Sequence, residues 1–196
     1  LLEALPDSFR YDRRVSAYGI YCGVEQNDDG FETTDLPKYD KARPKFWNVN
    51  SPAPDLTFQA LSIDPVKQAS VLAKAHIDWG KEAWAIKNVQ QGEQWSQQMF
   101  DHFEAEKAGY IDERARIASG IELLKSDERL ARAFRLMNEA MQISATNADG
   151  SVKYSAWRPF QVGFLLANLC SCAGKEADIV DIVWFPTGGG KTETYL

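Results

Sequence analysis

Long hydrophobic runs are missing from this chain. No segment of its 196 residues approaches the roughly 18 consecutive apolar residues that a membrane-crossing helix needs. The first residues, Leu1 to Pro6, lack a basic stretch ahead of a long apolar core. The expectation is a cytoplasmic protein with no membrane contact. Cysteine is scarce: Cys22, Cys170 and Cys172 make an odd count without paired metal-ligand spacing, which excludes a disulfide framework and a zinc ribbon and leaves reduced thiols. Histidine is scarcer still. His76 and His102 do not form a two-histidine ligand pair and are assigned no chemistry. Positive charge is also short, with 22 Lys and Arg against 28 Asp and Glu and a formal net charge of -6. That is the opposite of a dedicated nucleic-acid-binding module, so any contact with DNA has to be local. Residues 151–196 balance four basic side chains (Lys153, Arg158, Lys175, Lys191) with four acidic ones (Glu176, Asp178, Asp181, Glu193), so the whole excess precedes residue 151.

What is present suffices for folding: 44% hydrophobic and 26% charged residues exclude disorder and fit one soluble domain or somewhat more. Residues 1–63 are rich in proline and aromatic residues and read as a small mixed or irregular subdomain. A strand-like stretch from Val15 to Val24 ends at the turn signal Asn27-Asp28-Asp29-Gly30. Pro37, Pro44, Pro52 and Pro54 oppose helix and make residues 36–54 an extended connector. Asp64-Pro65 supplies an N-cap and a first-turn proline, and helical patterning continues to about Met141, enough for three or four helices in a region spanning 64–150. Its apolar stripes are Trp95, Met99 and Phe103; Ile117, Ile121 and Leu124; and Leu130, Phe134, Met137 and Met141 behind Ser126 as N-cap. Each stripe is expected to face a helical core rather than a cofactor. The mixed charges at 112–116 and 127–132 read as solvated faces. The turn signal Asn147-Ala148-Asp149-Gly150 places a domain boundary near residue 150. Leu1 is not an initiator methionine and the last six residues open a helix without a stop signal, so a piece of a longer protein is expected.

The chemistry lies in residues 151–196. Ile179 to Phe185 is dense in β-branched and aromatic residues, as in a strand buried on both faces of a parallel sheet. It runs directly into Pro186-Thr187-Gly188-Gly189-Gly190-Lys191-Thr192. Glycines let successive backbone N–H groups curl around phosphate oxygens, and the helix that follows adds its positive dipole end. Thr187 to Gly190 then cradle a triphosphate, Lys191 reaches the β- and γ-phosphates, and the Thr192 hydroxyl completes the coordination of Mg²⁺. Phe185 stands where the phosphate-loop pattern asks for glycine, a departure from it. A Gly-rich structural turn is the competing reading. Thirty residues before Lys191, Gln161 closes the element Trp157-Arg158-Pro159-Phe160-Gln161, which is followed by the apolar helix pattern Val162, Leu165, Leu166 and Leu169. A planar amide offers a donor and an acceptor side by side, so Gln161 is able to pair with the adenine edge and reject guanine; an ordinary polar residue at a helix start is the alternative. Cys170-Ser171-Cys172 ends that helix and reads as small buried residues.

The order Arg-Pro-aromatic-Gln, apolar helix, strand and Gly-rich Lys-Thr loop resembles the opening of superfamily 2 helicases and translocases, with a Q motif followed by a Walker A loop. The fold class expected is therefore α/β: an N-terminal mixed and helical region, then the beginning of a RecA-like P-loop domain at 151–196. The segments LPDSFRYDRRVSAYGIYCG, DERLARAFRLMNEAM, WRPFQVGFLLANL and DIVWFPTGGGKTETYL further resemble the DrmA family, the helicase-like component of bacterial DISARM anti-phage systems. The resemblance implies an ATPase acting on DNA with a DrmB-like partner subunit, ATP and Mg²⁺ as cofactors, and ATP contacts at Arg158, Gln161, Thr187, Gly188, Gly189, Gly190, Lys191 and Thr192. Lys191 would act in catalysis and Thr192 on the metal. It also implies that the acidic metal-holding motif, the arginine finger and the second RecA-like lobe lie further along than these residues, so this stretch alone is expected to be inactive. Two other readings compete: an acidic helical scaffold before residue 150 that docks a partner, and a P-loop kinase or GTPase that has no use for an adenine-reading glutamine.

Overall fold

The computed structural model describes residues 9–10, 16–35, 47 and 50–175. Within them lie a two-stranded antiparallel sheet and six helices, falling into two compact units. The first unit lies within Leu1–Lys45 and Ile86–Lys107, and the second within Phe46–Ala85 and Ala108–Leu196.

In the first unit, β1 (Gly23–Asn27) pairs with β2 (Gly30–Thr34) in a register that sets Gly23 opposite Thr34 and Asn27 opposite Gly30. The turn expected at residues 27–30 is where it was placed: Asn27 Oδ1 accepts from Asp29 N at 3.1 Å, and Gly30 takes φ 136°, which a side chain opposes. The strand is not where it was placed. Tyr21 sits in the left-handed region at φ 62°, so an extended run cannot pass through it, and pairing starts only at Gly23. Short helix α3 (Ile86–Gln90) ends in a turn with Gln91 and Gly92 at positive φ. Ser96 then opens the long helix α4 (Gln97–Ser126), its hydroxyl accepting from Met99 N at 3.2 Å. The Met99 and Phe103 positions of the first stripe are buried, and Trp95, just ahead of the helix, packs its ring 5.5 Å from that of Phe103.

The second unit is helical. Thr57 caps α1 (Phe58–Ile63), accepting from Ala60 N at 3.2 Å. Asp64 then ends α1 through its own N–H and starts α2 (Pro65–Ala83) through its carboxylate, which accepts from Lys67 N at 3.0 Å ahead of Pro65 in the first turn. This is the start expected from Asp64-Pro65. The next start is displaced by one residue. Asp127, not Ser126, caps α5 (Glu128–Ser144), accepting from Leu130 N at 3.0 Å, while the Ser126 hydroxyl bonds back to Glu122 O as the last residue of α4. A carboxylate is the better acceptor at a positive helix end. The turn expected at 147–150 is present, with Gly150 at φ 81° and its N–H donated to Asn147 O at 2.9 Å. Helix α6 (Pro159–Cys172) closes in a Schellman arrangement: Lys175 N donates to Cys170 O, Gly174 N donates to Ser171 O, and Gly174 takes φ 69°.

The core of this unit joins Leu56, Phe58 and Leu61 to Leu72, Ile117, Ile121, Leu124, Phe134, Trp157, Val162 and Leu166, so the second and third stripes do face a helical core. Gly120 sets how closely α4 and α6 approach, because a Cβ there would lie 2.0 Å from Leu166 O. The two-stranded sheet and the helices are the α and β content of the described residues. The buried strand expected at 179–185 and the Gly-rich loop after it lie outside them.

Candidate functional site

The start of helix α6 carries the two residues of the predicted nucleotide site that are described. That start is held from two sides. Phe58 N donates to Ser155 O at 3.0 Å and Trp157 N donates to Leu56 O at 2.9 Å, an antiparallel bridge that ties the chain ahead of α6 to the chain ahead of α1. The Trp157 ring is buried edge-on against Phe58 at 5.4 Å, and its Nε1 donates to Asn138 Oδ1 at 2.7 Å. Asn138, fully buried on α5, donates in turn to Phe134 O at 2.9 Å. A buried indole N–H without an acceptor is costly, so this pair fixes where α6 begins.

Arg158 is the N-cap and Pro159 the first helical residue, where the missing proline N–H breaks no bond. Arg158 is exposed, which leaves its guanidinium in solvent and free to meet an anion. Gln161 is buried, 5% exposed, and its Oε1 accepts from Arg158 N at 2.7 Å, while Gln161 N donates to Arg158 O at 3.0 Å. The glutamine carbonyl therefore closes the helix start in the manner of a capping box. A guanidinium has no acceptor to offer the reciprocal side-chain bond, so the backbone carbonyl supplies it. In this state the acceptor half of the amide serves the helix. For Gln161 to accept from an adenine amino group, that carbonyl has to leave or share the Arg158 N–H, a cap worth about 1 kcal/mol.

Thr187, Gly188, Gly189, Gly190, Lys191 and Thr192 lie outside the described residues, so the structure brings together Arg158 and Gln161 alone of the predicted site. All three cysteines are free thiols, as expected, but the burial expected at 170–172 is only partial: Cys170 is half-buried against the core, while Cys172, the last residue of α6, is exposed. No group of three or more His, Cys, Asp or Glu side chains among the described residues is arranged to hold a metal ion. No helix among them is long and apolar enough to cross a membrane.

Asn138 is the residue that sequence reasoning passed over. Its signal was a polar side chain four residues after Phe134, inside the stripe Leu130, Phe134, Met137, Met141. A second group, on α2 and α4, was also not anticipated. His76 stacks on Trp79 at 5.7 Å and meets the Tyr110 ring edge-on at 5.1 Å, the Tyr110 hydroxyl donates to His76 O at 3.0 Å, and the Arg114 guanidinium lies 5.5 Å over the Tyr110 ring. Burial, and then the Arg114 charge, hold the His76 imidazole below its ordinary pKa, and burial pushes the Tyr110 phenol up. Gly80 makes the room: a Cβ there would fall 1.8 Å from the Tyr110 hydroxyl. Nearby on α2, hydrogen bonds from Lys74, Lys81 and Ser51 hold the Asp78 carboxyl well below the usual range.

These residues define a helical unit with a proline-started, glutamine-closed helix ahead of a Gly-rich Lys-Thr sequence. No protein-family model matches the chain. It is similar to the DISARM protein DrmA of Bacillus paralicheniformis, 39% identical over 103 residues, an alignment that covers 41% of this chain and 9% of that protein. The chain thus spans a small part of the curated relative it matches, and the family resemblance read from the sequence is met by a DISARM protein.

Proposed function

We propose that the chain is the N-terminal part of an ATP-dependent superfamily 2 DNA helicase or translocase that serves anti-phage defence, with residues 151–196 beginning its RecA-like domain. The observation that carries the reading is the Arg158-Pro159-Phe160-Gln161 element at the first turn of α6, 30 residues ahead of Lys191, in a chain similar to a DISARM protein. In the proposed site Thr187 to Gly190 wrap the phosphates, Lys191 neutralises charge on the β- and γ-oxygens, and Thr192 holds Mg²⁺. Gln161 reads adenine and Arg158 stands at the helix start beside it. The bound Mg²⁺ supplies charge neutralisation on the transferring phosphoryl group.

Hydrolysis also requires an acidic metal-holding residue, a water-orienting group and an arginine finger. No residue of this chain is assigned to those roles, and the chain by itself is proposed to bind nucleotide without turnover. DNA and a DrmB-like subunit are the proposed partners. The test is DNA-stimulated ATPase activity of the full-length protein beside its Lys191→Ala variant. The reading expects activity to fall by at least about 100-fold, as when a main transition-state charge contact is removed, and equal rates would remove Lys191 from the mechanism. A P-loop kinase or GTPase is separated by nucleotide choice, since tight GTP binding indifferent to Gln161→Ala belongs to that alternative and not to this one.

A further inference from the structure

The base preference of the proposed nucleotide site depends on which way the Gln161 carboxamide faces. Its two ends have nearly the same shape and opposite hydrogen-bonding character. Adenine presents an amino donor beside the N7 acceptor, whereas guanine presents two acceptors, O6 and N7. An amide held with its oxygen toward the amino position suits adenine alone; one able to turn over donates Nε2 to guanine O6 as well. Arg158 N settles the orientation at one end. It only donates, and Gln161 Oε1 accepts from it at 2.7 Å. Turning the amide over would bring Nε2 against the same N–H, two donors face to face. A carbonyl oxygen accepts two hydrogen bonds, so in the nucleotide complex an oxygen that accepts from both Arg158 N and the adenine amino group keeps that orientation.

Arg158 N is itself placed from outside α6. Trp157, the residue ahead of it, is fixed twice: its N–H donates to Leu56 O at 2.9 Å, and its Nε1 donates to Asn138 Oδ1 on α5 at 2.7 Å. Asn138 is held in turn, because its Nδ2 donates to Phe134 O at 2.9 Å while its Oδ1 serves the indole. Both side chains are enclosed in the core, so a displaced indole shifts the peptide that follows it, and that peptide carries the N–H that orients Gln161. We propose that Asn138 is a positioning residue for base selection: through Trp157 and the Arg158 N–H it holds the Gln161 carboxamide in the orientation that accepts from adenine and refuses guanine. The inference rests on the proposed reading of Gln161 and adds to it a determinant on α5, away from the nucleotide contacts themselves.

The test is the ratio of ATP to GTP affinity of the full-length protein, taken by isothermal titration with Mg²⁺ present and with far-UV circular dichroism confirming the fold of each variant. Asn138→Ala and Trp157→Phe are each expected to lower the ratio at least about fivefold, the small end of couplings between linked sites. Trp157→Phe keeps an aromatic ring beside Phe58 and decides the matter where Asn138→Ala does not fold. The control is Ile117→Ala, in the same core next to Arg116, whose guanidinium donates to Asn168 Oδ1 at 3.3 Å, further along α6 than Gln161. It is expected to lower stability and leave the ratio within about twofold. Added to Gln161→Ala, Asn138→Ala is expected to change the ratio no further, because it acts through the glutamine. A ratio unchanged in either folded variant, while Gln161→Ala erases it, overturns the inference and leaves the adenine reading standing. An equal fall in Ile117→Ala, or an undiminished further fall on top of Gln161→Ala, overturns it in the same way. A parent that binds the two nucleotides equally overturns both together.

Discussion

The Asn138–Trp157 bond offers the sharpest test of how α6 is placed. Asn138→Ala removes the acceptor of a 2.7 Å bond and leaves Trp157 Nε1 buried, with Trp157 2% exposed and Asn138 fully enclosed. An orphaned buried donor costs about 1–3 kcal/mol, and the missing carboxamide adds a small cavity. The sum expected is about 2–4 kcal/mol, or a fall in Tm of roughly 4–16 °C at about 2–4 °C per kcal/mol for a chain of this size. Trp157→Phe strands the Asn138 carbonyl instead, and Asn138→Ala combined with Trp157→Phe removes both polar partners at once. Because the bond is then absent from both sides, the double variant should recover about 1–2 kcal/mol relative to the summed single changes. Since the two units need not unfold together, the local readout is the hydrogen-exchange protection of the Trp157 indole N–H by NMR, which should drop by at least about tenfold in Asn138→Ala, the equivalent of 1.4 kcal/mol. Additive single and double variants, with protection unchanged, would refute the view that this pair positions the helix.

Other expectations follow from single positions. Gly120→Ala should destabilise by about 1–3 kcal/mol in urea unfolding, since its Cβ meets the Leu166 carbonyl at 2.0 Å, whereas Gly109→Ala, with nothing within 4 Å, should stabilise by about 0.5–1 kcal/mol; equal effects would contradict the close approach of α4 and α6. Gln161→Ala should cost about 1 kcal/mol without any nucleotide, through the lost cap at Arg158 N, and Gln161→Glu, which keeps an acceptor there, should cost less. Phe58→Ala should cost about 3–5 kcal/mol, as an aromatic ring removed from a closed core. His76 has a folded-state pKa below its unfolded value, so the unfolded chain takes up its proton first as pH falls. Its contribution is present above about pH 6.5 and is lost below it. Urea midpoints of the parent between pH 8 and 5.5 should therefore fall more steeply than those of His76→Phe.

Local signals were the ones the sequence displayed. Asp64-Pro65 and residues 147–150 hold their short-range chemistry in two or three adjacent side chains, and both appear where that chemistry put them. Ile117, Ile121, Leu124 and Phe134 were legible because a periodic stripe has to be buried somewhere. Ser126 misled because Ser and Asp are both N-cap residues and stand side by side; the Asp127 carboxylate, the better acceptor at a positive helix end, takes the Leu130 N–H, and Ser126 stays the last residue of α4. The strand from Val15 failed at Tyr21, whose φ no propensity scale marks as positive. At the candidate site, the helix start was legible, and the Gln161 carbonyl that closes it fits the alternative of an ordinary polar residue there, whereas Asn138 holding Trp157 across 19 residues was not legible, because it is settled by packing. The burial expected of Cys172 failed for the related reason that which side of α6 faces the core depends on α2 and α4.

The central claim is that residues 187–192 cradle the phosphates of ATP while Gln161 reads its base. Isothermal titration of the chain with Mg²⁺–ATP and Mg²⁺–GTP, repeated on Lys191→Ala and Gln161→Ala, tests it most directly. The account predicts saturable ATP binding that Lys191→Ala abolishes, and a preference of ATP over GTP that Gln161→Ala erases. ATP binding of the same strength in the parent and in Lys191→Ala would contradict it.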